Sequence, residues 1–103
     1  IAEMKCRLET CLLWINECAR LKDAGKRISL TSAQTKLFAS EAFLQSSLDA
    51  THIMGANGLI TENKMTTLVQ DALASRLFSG SSEIQKNIIA ALLGTGAGFK
   101  SRK

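Results

Sequence analysis

The feature that most constrains this chain is the absence of proline from all 103 residues, combined with an apolar repeat of three and four that begins at once. Proline removes a backbone donor and breaks helix interiors, so a chain without it can run long helices. Between Ala2 and Ala24, Met4, Leu8, Cys11, Ile15 and Cys18 recur at that spacing, while Leu13, Trp14 and Leu21 widen the apolar face. The pattern predicts an amphipathic helix of about six turns, with a second stripe that needs more than one packing partner. Gly25, after Lys22-Asp23-Ala24, suits a left-handed C-terminal cap.

Three more helices follow. Thr31 and Gln34 stand in capping-box spacing before a run to Met54 in which Leu37, Leu44 and Leu48 form one line, thickened by Phe38, Ala42 and Ile53. Ala33, Ala39, Ala42 and Ala50 permit close helix contact, and Phe43 lies partly off the main face. Gly55-Ala56-Asn57-Gly58 breaks this helix and can admit a bulky ligand. A shorter helix, starting near Asn63 or Lys64, is expected to carry Met65, Leu68, Val69, Ala72 and Leu73 inward. The last is expected to bury Ile84, Ile88, Ala91 and Leu92 before Gly94, Gly96 and Gly98 stop it. The expected helices are therefore Ala2–Ala24, Ala33–Met54, Met65–Leu77 and Glu83–Leu93.

The fold class is all-α, an incomplete up-and-down helical bundle filling one domain, residues 1–103. Its two long helices should expose apolar surface unless a preceding helix or a second copy covers them, and Ile1 falls inside a helical pattern. A fragment lacking the first helix of its bundle fits both observations.

Charge and cysteine usage narrow the class. The formal charge of +4 comes partly from Lys100, Arg102 and Lys103, with no interleaved aromatic and basic residues, so nucleic acid is not an expected partner. Cys6, Cys11 and Cys18 lack a CxxC unit and are odd in number, and His52 is the only histidine. They read as reduced thiols of a soluble intracellular protein with no metal site. No apolar run is long enough for a membrane span.

The candidate site is Phe78-Ser79-Gly80-Ser81-Ser82-Glu83, a turn feeding a helix N-terminus, with Ser82 and Gln85 in capping-box spacing and Glu83 in the first turn. Unpaired N–H groups there can hold phosphate, a carbonyl oxygen or a cofactor edge.

The ordered combination of His52-Ile53-Met54-Gly55-Ala56-Asn57-Gly58, Gln70-Asp71-Ala72 and Ser79-Gly80-Ser81-Ser82-Glu83-Ile84-Gln85 resembles the C-terminal helical domain of the FAD-dependent acyl-CoA dehydrogenases. Leu21-Lys22-Asp23-Ala24-Gly25-Lys26 and Lys36-Leu37-Phe38-Ala39-Ser40-Glu41 also look like that family. The resemblance implies an oxidoreductase of fatty acid metabolism that removes hydrogens from the α and β carbons of an acyl thioester: a carboxylate takes the α proton, FAD accepts hydride, and electrons pass to an electron-transfer flavoprotein. It implies an acyl-CoA or other acyl thioester substrate, a homo-oligomer, and a cytoplasmic or mitochondrial-matrix setting. FAD would belong to the intact parent, with none retained by this chain alone, which is expected to be inactive.

Residue by residue, the resemblance assigns His52, Gly55, Ser81 and Glu83 to the cofactor, His52 facing the flavin of a neighbouring subunit. It assigns Phe78, Ser79 and Gly80 to the acyl pocket. Ser79 stands where many relatives carry the catalytic Glu, and a serine cannot replace that carboxylate. No catalytic residue is therefore assigned in this chain, and the base is expected upstream of Ile1. Phe78 replaces a usual Tyr, and Gln70 a usual Arg. The alternatives are a stand-alone helical protein-interaction module using Cys11, Trp14 and Phe43, and a non-dehydrogenating flavoenzyme relative.

Overall fold

The computed structural model describes residues 1–60, 62, 64–78 and 80–94. Its helices are α1 (Ala2–Asp23), α2 (Ser29–Met54), α3 (Met65–Ser75) and α4 (Ser82–Leu92), with a 3-10 segment at Gly55–Leu59. No strand occurs among the described residues, and none of their helices is long and apolar enough to cross a membrane.

The organising element is α2. Helices α1, α3 and α4 each pack on it and, among the described residues, not on one another. Contacts between Arg7 and Asp49 at one end and Cys18 and Thr35 at the other show that α1 runs antiparallel to α2. Helix α3 packs on α2 and on the 3-10 segment, ending with Ser75 beside Lys36 and Ser40. Helix α4 begins at Glu41 and heads back toward Gln34, so α3 and α4 follow one another along α2 with their connecting turn at its middle.

Close packing explains why the buried residues of α2 are all small: Ala33, Ser40, Ala42 and Ser47. Elsewhere the buried set is Gly58, Met65, Ala72, Ser82 and Gln85. No large side chain is fully enclosed, and α1 buries none of its residues.

Helix phase departs from the expected apolar lines. On α1, Met4, Arg7, Cys11, Trp14, Cys18 and Leu21 are half-buried, whereas Leu8 and Ile15 face out with Leu12 and Leu13. The Arg7–Asp49 ion pair at 2.6 Å and the Cys18–Thr35 contact at 3.2 Å accompany this phase. Leu48 and Ile53 of α2 and Leu68 and Leu73 of α3 are also exposed, leaving Met65, Val69 and Ala72 inward. On α4 the inward line is Ser82, Gln85, Ile89 and Leu92, not Ile84, Ile88 and Ala91. Phe43 is 39% exposed, at the margin between α1 and α2.

The caps differ in part. Gly25 adopts φ +71, with its N–H donating to Lys22 O and that of Lys26 to Leu21 O, the expected left-handed termination. Helix α2 starts two residues before Thr31, and its cap residue Ile28 makes no side-chain bond. The Thr31–Gln34 capping box does not form. At α4 the cap is Ser81, whose Oγ accepts from Ile84 N, because Ser82 is turned inward onto Glu41. Gly94 follows α4 with φ +80; Gly96 and Gly98 lie outside the described residues.

Candidate functional site

A polar node on α2 holds the turn between α3 and α4. Glu41 Oε1 accepts from Arg76 Nε at 2.9 Å and from Ser82 Oγ at 3.0 Å, joining the end of α3 to the start of α4. One helical turn earlier, Lys36 Nζ donates to Ser75 O at 2.6 Å and to Ser40 Oγ at 3.0 Å. Ser82 N donates to Arg76 O at 2.9 Å, so the turn is closed on itself as well as tied to α2. Side chains chosen for burial alone would be apolar here. Polar ones survive because each meets a partner, which removes most of the cost of dehydrating it.

The sequence-assigned residues sit on this turn's rim. Phe78 is 62% exposed with little packing of its own. Gly80 takes φ +91, so its backbone conformation favours glycine, and a Cβ built on it would displace the flexible end of Gln85, whose Nε2 stands 2.5 Å away. Gln85 Nε2 donates to Gly80 O at 3.4 Å. The Ser81 hydroxyl accepts from Ile84 N at 3.2 Å and keeps its own proton to donate outward. Glu83 is exposed in the first turn, where its charge complements the helix dipole, 3.7 Å from Lys86. Ser79 lies outside the described residues.

His52 and Gly55 are elsewhere. Both are exposed at the far end of α2, eleven and fourteen residues beyond Glu41, which at about 1.5 Å per residue is roughly 16 Å and roughly 21 Å along the axis. Gly55 has φ +61 and open space around it, whereas Gly58 is buried against α2, its would-be Cβ 2.7 Å from Thr51 O. The structure thus brings Phe78, Gly80, Ser81 and Glu83 together and keeps His52 and Gly55 apart from them.

A sequence profile described as "Acyl-CoA dehydrogenase, C-terminal domain" matches residues 1–94. This chain belongs to the acyl-CoA dehydrogenase family. It is 37% identical over 94 residues to an L-prolyl-[peptidyl-carrier protein] dehydrogenase of Serratia sp., covering 91% of this chain and 24% of that protein. Against the mitochondrial short-chain specific acyl-CoA dehydrogenase of Rattus norvegicus it is 38% identical over 93 residues, 90% of this chain and 23% of the relative. The solved structure titled "FAD complex of PigA" superposes with a TM-score of 0.87 at 36% identity, covering 91% of this chain and 24% of that one. The chain spans about a quarter of the length of these acyl-CoA dehydrogenase relatives and corresponds to the C-terminal domain of such FAD-dependent enzymes.

Lys36, Ser40, Glu41 and Arg76 were not singled out as functional by sequence reasoning. The signal available was charge and hydroxyl groups at positions 36, 40 and 41 on the most apolar long helix, a pattern that needs partners once the helix is buried.

The described rim suits one portion of a dinucleotide cofactor better than another. Glu83 places a carboxylate on the helix end where a pyrophosphate would otherwise be drawn, and like charges repel. A neutral ring edge or a sugar hydroxyl fits instead, meeting the Ser81 proton, the Glu83 oxygens and the apolar face of Phe78.

Proposed function

We propose that this domain supplies one wall of the FAD and acyl-thioester site of an α,β-dehydrogenating flavoenzyme. The observation that carries this reading is the rim of Phe78, Gly80, Ser81 and Glu83, fixed to the middle of α2 by a closed polar node. Phe78 excludes water from the acyl chain, Ser81 donates to the cofactor edge, and Glu83 accepts from a sugar hydroxyl or amine. FAD, when bound, supplies the hydride acceptor. At the other end of α2, the open Gly55 lets backbone approach the cofactor of a neighbouring subunit, and the His52 ring N–H donates to it. The separation of the two sets by roughly 16 to 21 Å favours a homo-oligomer in which each copy serves two sites.

The proton-removing carboxylate is placed upstream of Ile1. Glu41, the nearest described carboxylate on α2, is already accepting two hydrogen bonds at one oxygen and is badly placed to take a proton. Glu83 belongs to the cofactor side. Both a CoA ester and a carrier-protein thioester fit an open wall of this kind, and an electron-transfer flavoprotein is the expected oxidant in a compartment, cytoplasm or mitochondrial matrix, that keeps the three cysteines reduced.

The test is anaerobic addition of acyl thioester to the full-length flavoprotein while flavin absorbance is followed. Ser79→Ala should reduce at nearly the normal rate, and alanine at the upstream carboxylate should slow reduction by about a thousandfold, the scale of a lost general base. Fast reduction after removal of every upstream active-site carboxylate would sink the assignment.

A further inference from the structure

Helices α3 and α4 do not pack on each other among the described residues, yet the turn between them forms the rim just described. Apolar burial does not hold it, because Leu77 is 73% and Phe78 62% exposed. Besides the backbone bond from Ser82 N to Arg76 O, which closes the same turn, what spans it is a single side-chain atom: Glu41 Oε1, with Arg76 on one side at 2.9 Å and Ser82 on the other at 3.0 Å.

We propose that Glu41 is the positioning residue of the Phe78–Ser81 rim, setting the separation of α3 and α4 so that Phe78 and Ser81 face one ligand. This rests on reading the rim as a cofactor and acyl wall. Two features make Glu41 a better candidate than the neighbouring groups. Lys36 and Ser40 reach only the Ser75 carbonyl, on the α3 side of the turn, so they fix one end and leave the other free. Gln85 reaches only Gly80, on the α4 side. Among the described side chains Glu41 alone joins both sides, and its negative charge strengthens both bonds. Ser82 is 2% exposed, so removing the carboxylate leaves a buried hydroxyl without its acceptor as well as a loosened Arg76.

The experiment is hydrogen exchange on the full-length flavoprotein, reading the amides of Leu77, Phe78 and Ser82, which donate to Ala74 O, Ala74 O and Arg76 O. The Gly25 and Lys26 amides, bonded in the distant turn after α1, serve as the internal reference. Glu41→Ala is expected to speed exchange about tenfold at the three reporters and to leave the reference unchanged. Glu41→Gln keeps the size and an acceptor oxygen but loses the charge, and should restore most of the protection, leaving exchange about threefold faster than wild type. Should the alanine variant fail to fold, the glutamine variant decides, and wild-type exchange at the reporters then overturns the proposal. Equal acceleration at reporters and reference also overturns it, since Glu41 would then hold the whole fold and not the rim. The second readout is the flavin dissociation constant, expected to rise about tenfold in Glu41→Ala. Local loosening with unchanged flavin and thioester affinity leaves the positioning role standing and refutes the wall reading.

Discussion

Gly55 and Gly58 are separated by two residues and are glycine for different reasons. At Gly55 the backbone requires it: φ is +61 and ψ −136, with nothing within 4 Å of a built Cβ. At Gly58 space requires it, because a Cβ would meet the Thr51 carbonyl oxygen at 2.7 Å and that oxygen is held in the helix backbone. We expect Gly58→Ala to lose about 1–3 kcal/mol of stability as the 3-10 segment is pushed off α2. Thr51→Ser, which removes only the methyl 3.0 Å away, should not rescue it. Denaturant titration of the single and double variants checks this, and full rescue by serine would show that the side chain was the obstacle.

At the level of elements, α1 is the helix with no buried residue. It touches only α2 and holds its phase partly through Arg7 and Asp49. The hydrogen bond from Arg7, with a second from Gln45, keeps the Asp49 carboxyl below its usual range. A carboxylate with a depressed folded pKa contributes stability that is complete above its unfolded value and disappears as pH falls through the folded one. The α1–α2 contact should therefore weaken below about pH 4, the ordinary aspartate value. Glu17, likewise depressed by its hydrogen bond from Arg20, adds a loss of helix support within α1 over the same range. Trp14 is the only tryptophan and sits half-buried on α1, so its fluorescence reports the event. Asp49→Asn should diminish the acid step and start from a weaker contact at neutral pH. An unchanged step in that variant would remove the ion pair from the explanation.

As a whole, the molecule is extended. Its radius of gyration is 16.5 Å and its extents are 53 × 29 × 20 Å, against a radius of about 13 Å for a compact domain of this length. Three helices share one central partner and leave Leu8, Leu13, Ile15, Ile84 and Ile88 in solvent, so most of what a bundle core would enclose is not enclosed here. The isolated 103-residue chain should therefore unfold broadly and at low temperature, and should neither retain stoichiometric flavin nor bleach it on addition of an acyl thioester. Calorimetry of the monomer is the check on stability. A sharp transition at about 45–65 °C, ordinary for a mesophilic domain, would contradict the expectation.

The sequence by itself determined the number, order and approximate limits of the helices, because lack of proline, glycine placement and apolar periodicity are local properties that bias each segment before any packing occurs. It also located the Gly25 termination and the family, the latter through several short motifs in fixed order. Tertiary structure decided which of two apolar stripes on α1 faces inward and that a partly polar face of α4 does, since only partners such as Asp49, Thr35 and Glu41 fix the helix phase. The same dependence moved the α4 cap from Ser82 to Ser81: once Ser82 is drawn onto Glu41, the hydroxyl before it is the one left to meet the Ile84 amide. Glu41 and Arg76 are 35 residues apart in the chain, and no periodicity within either helix can state that they meet.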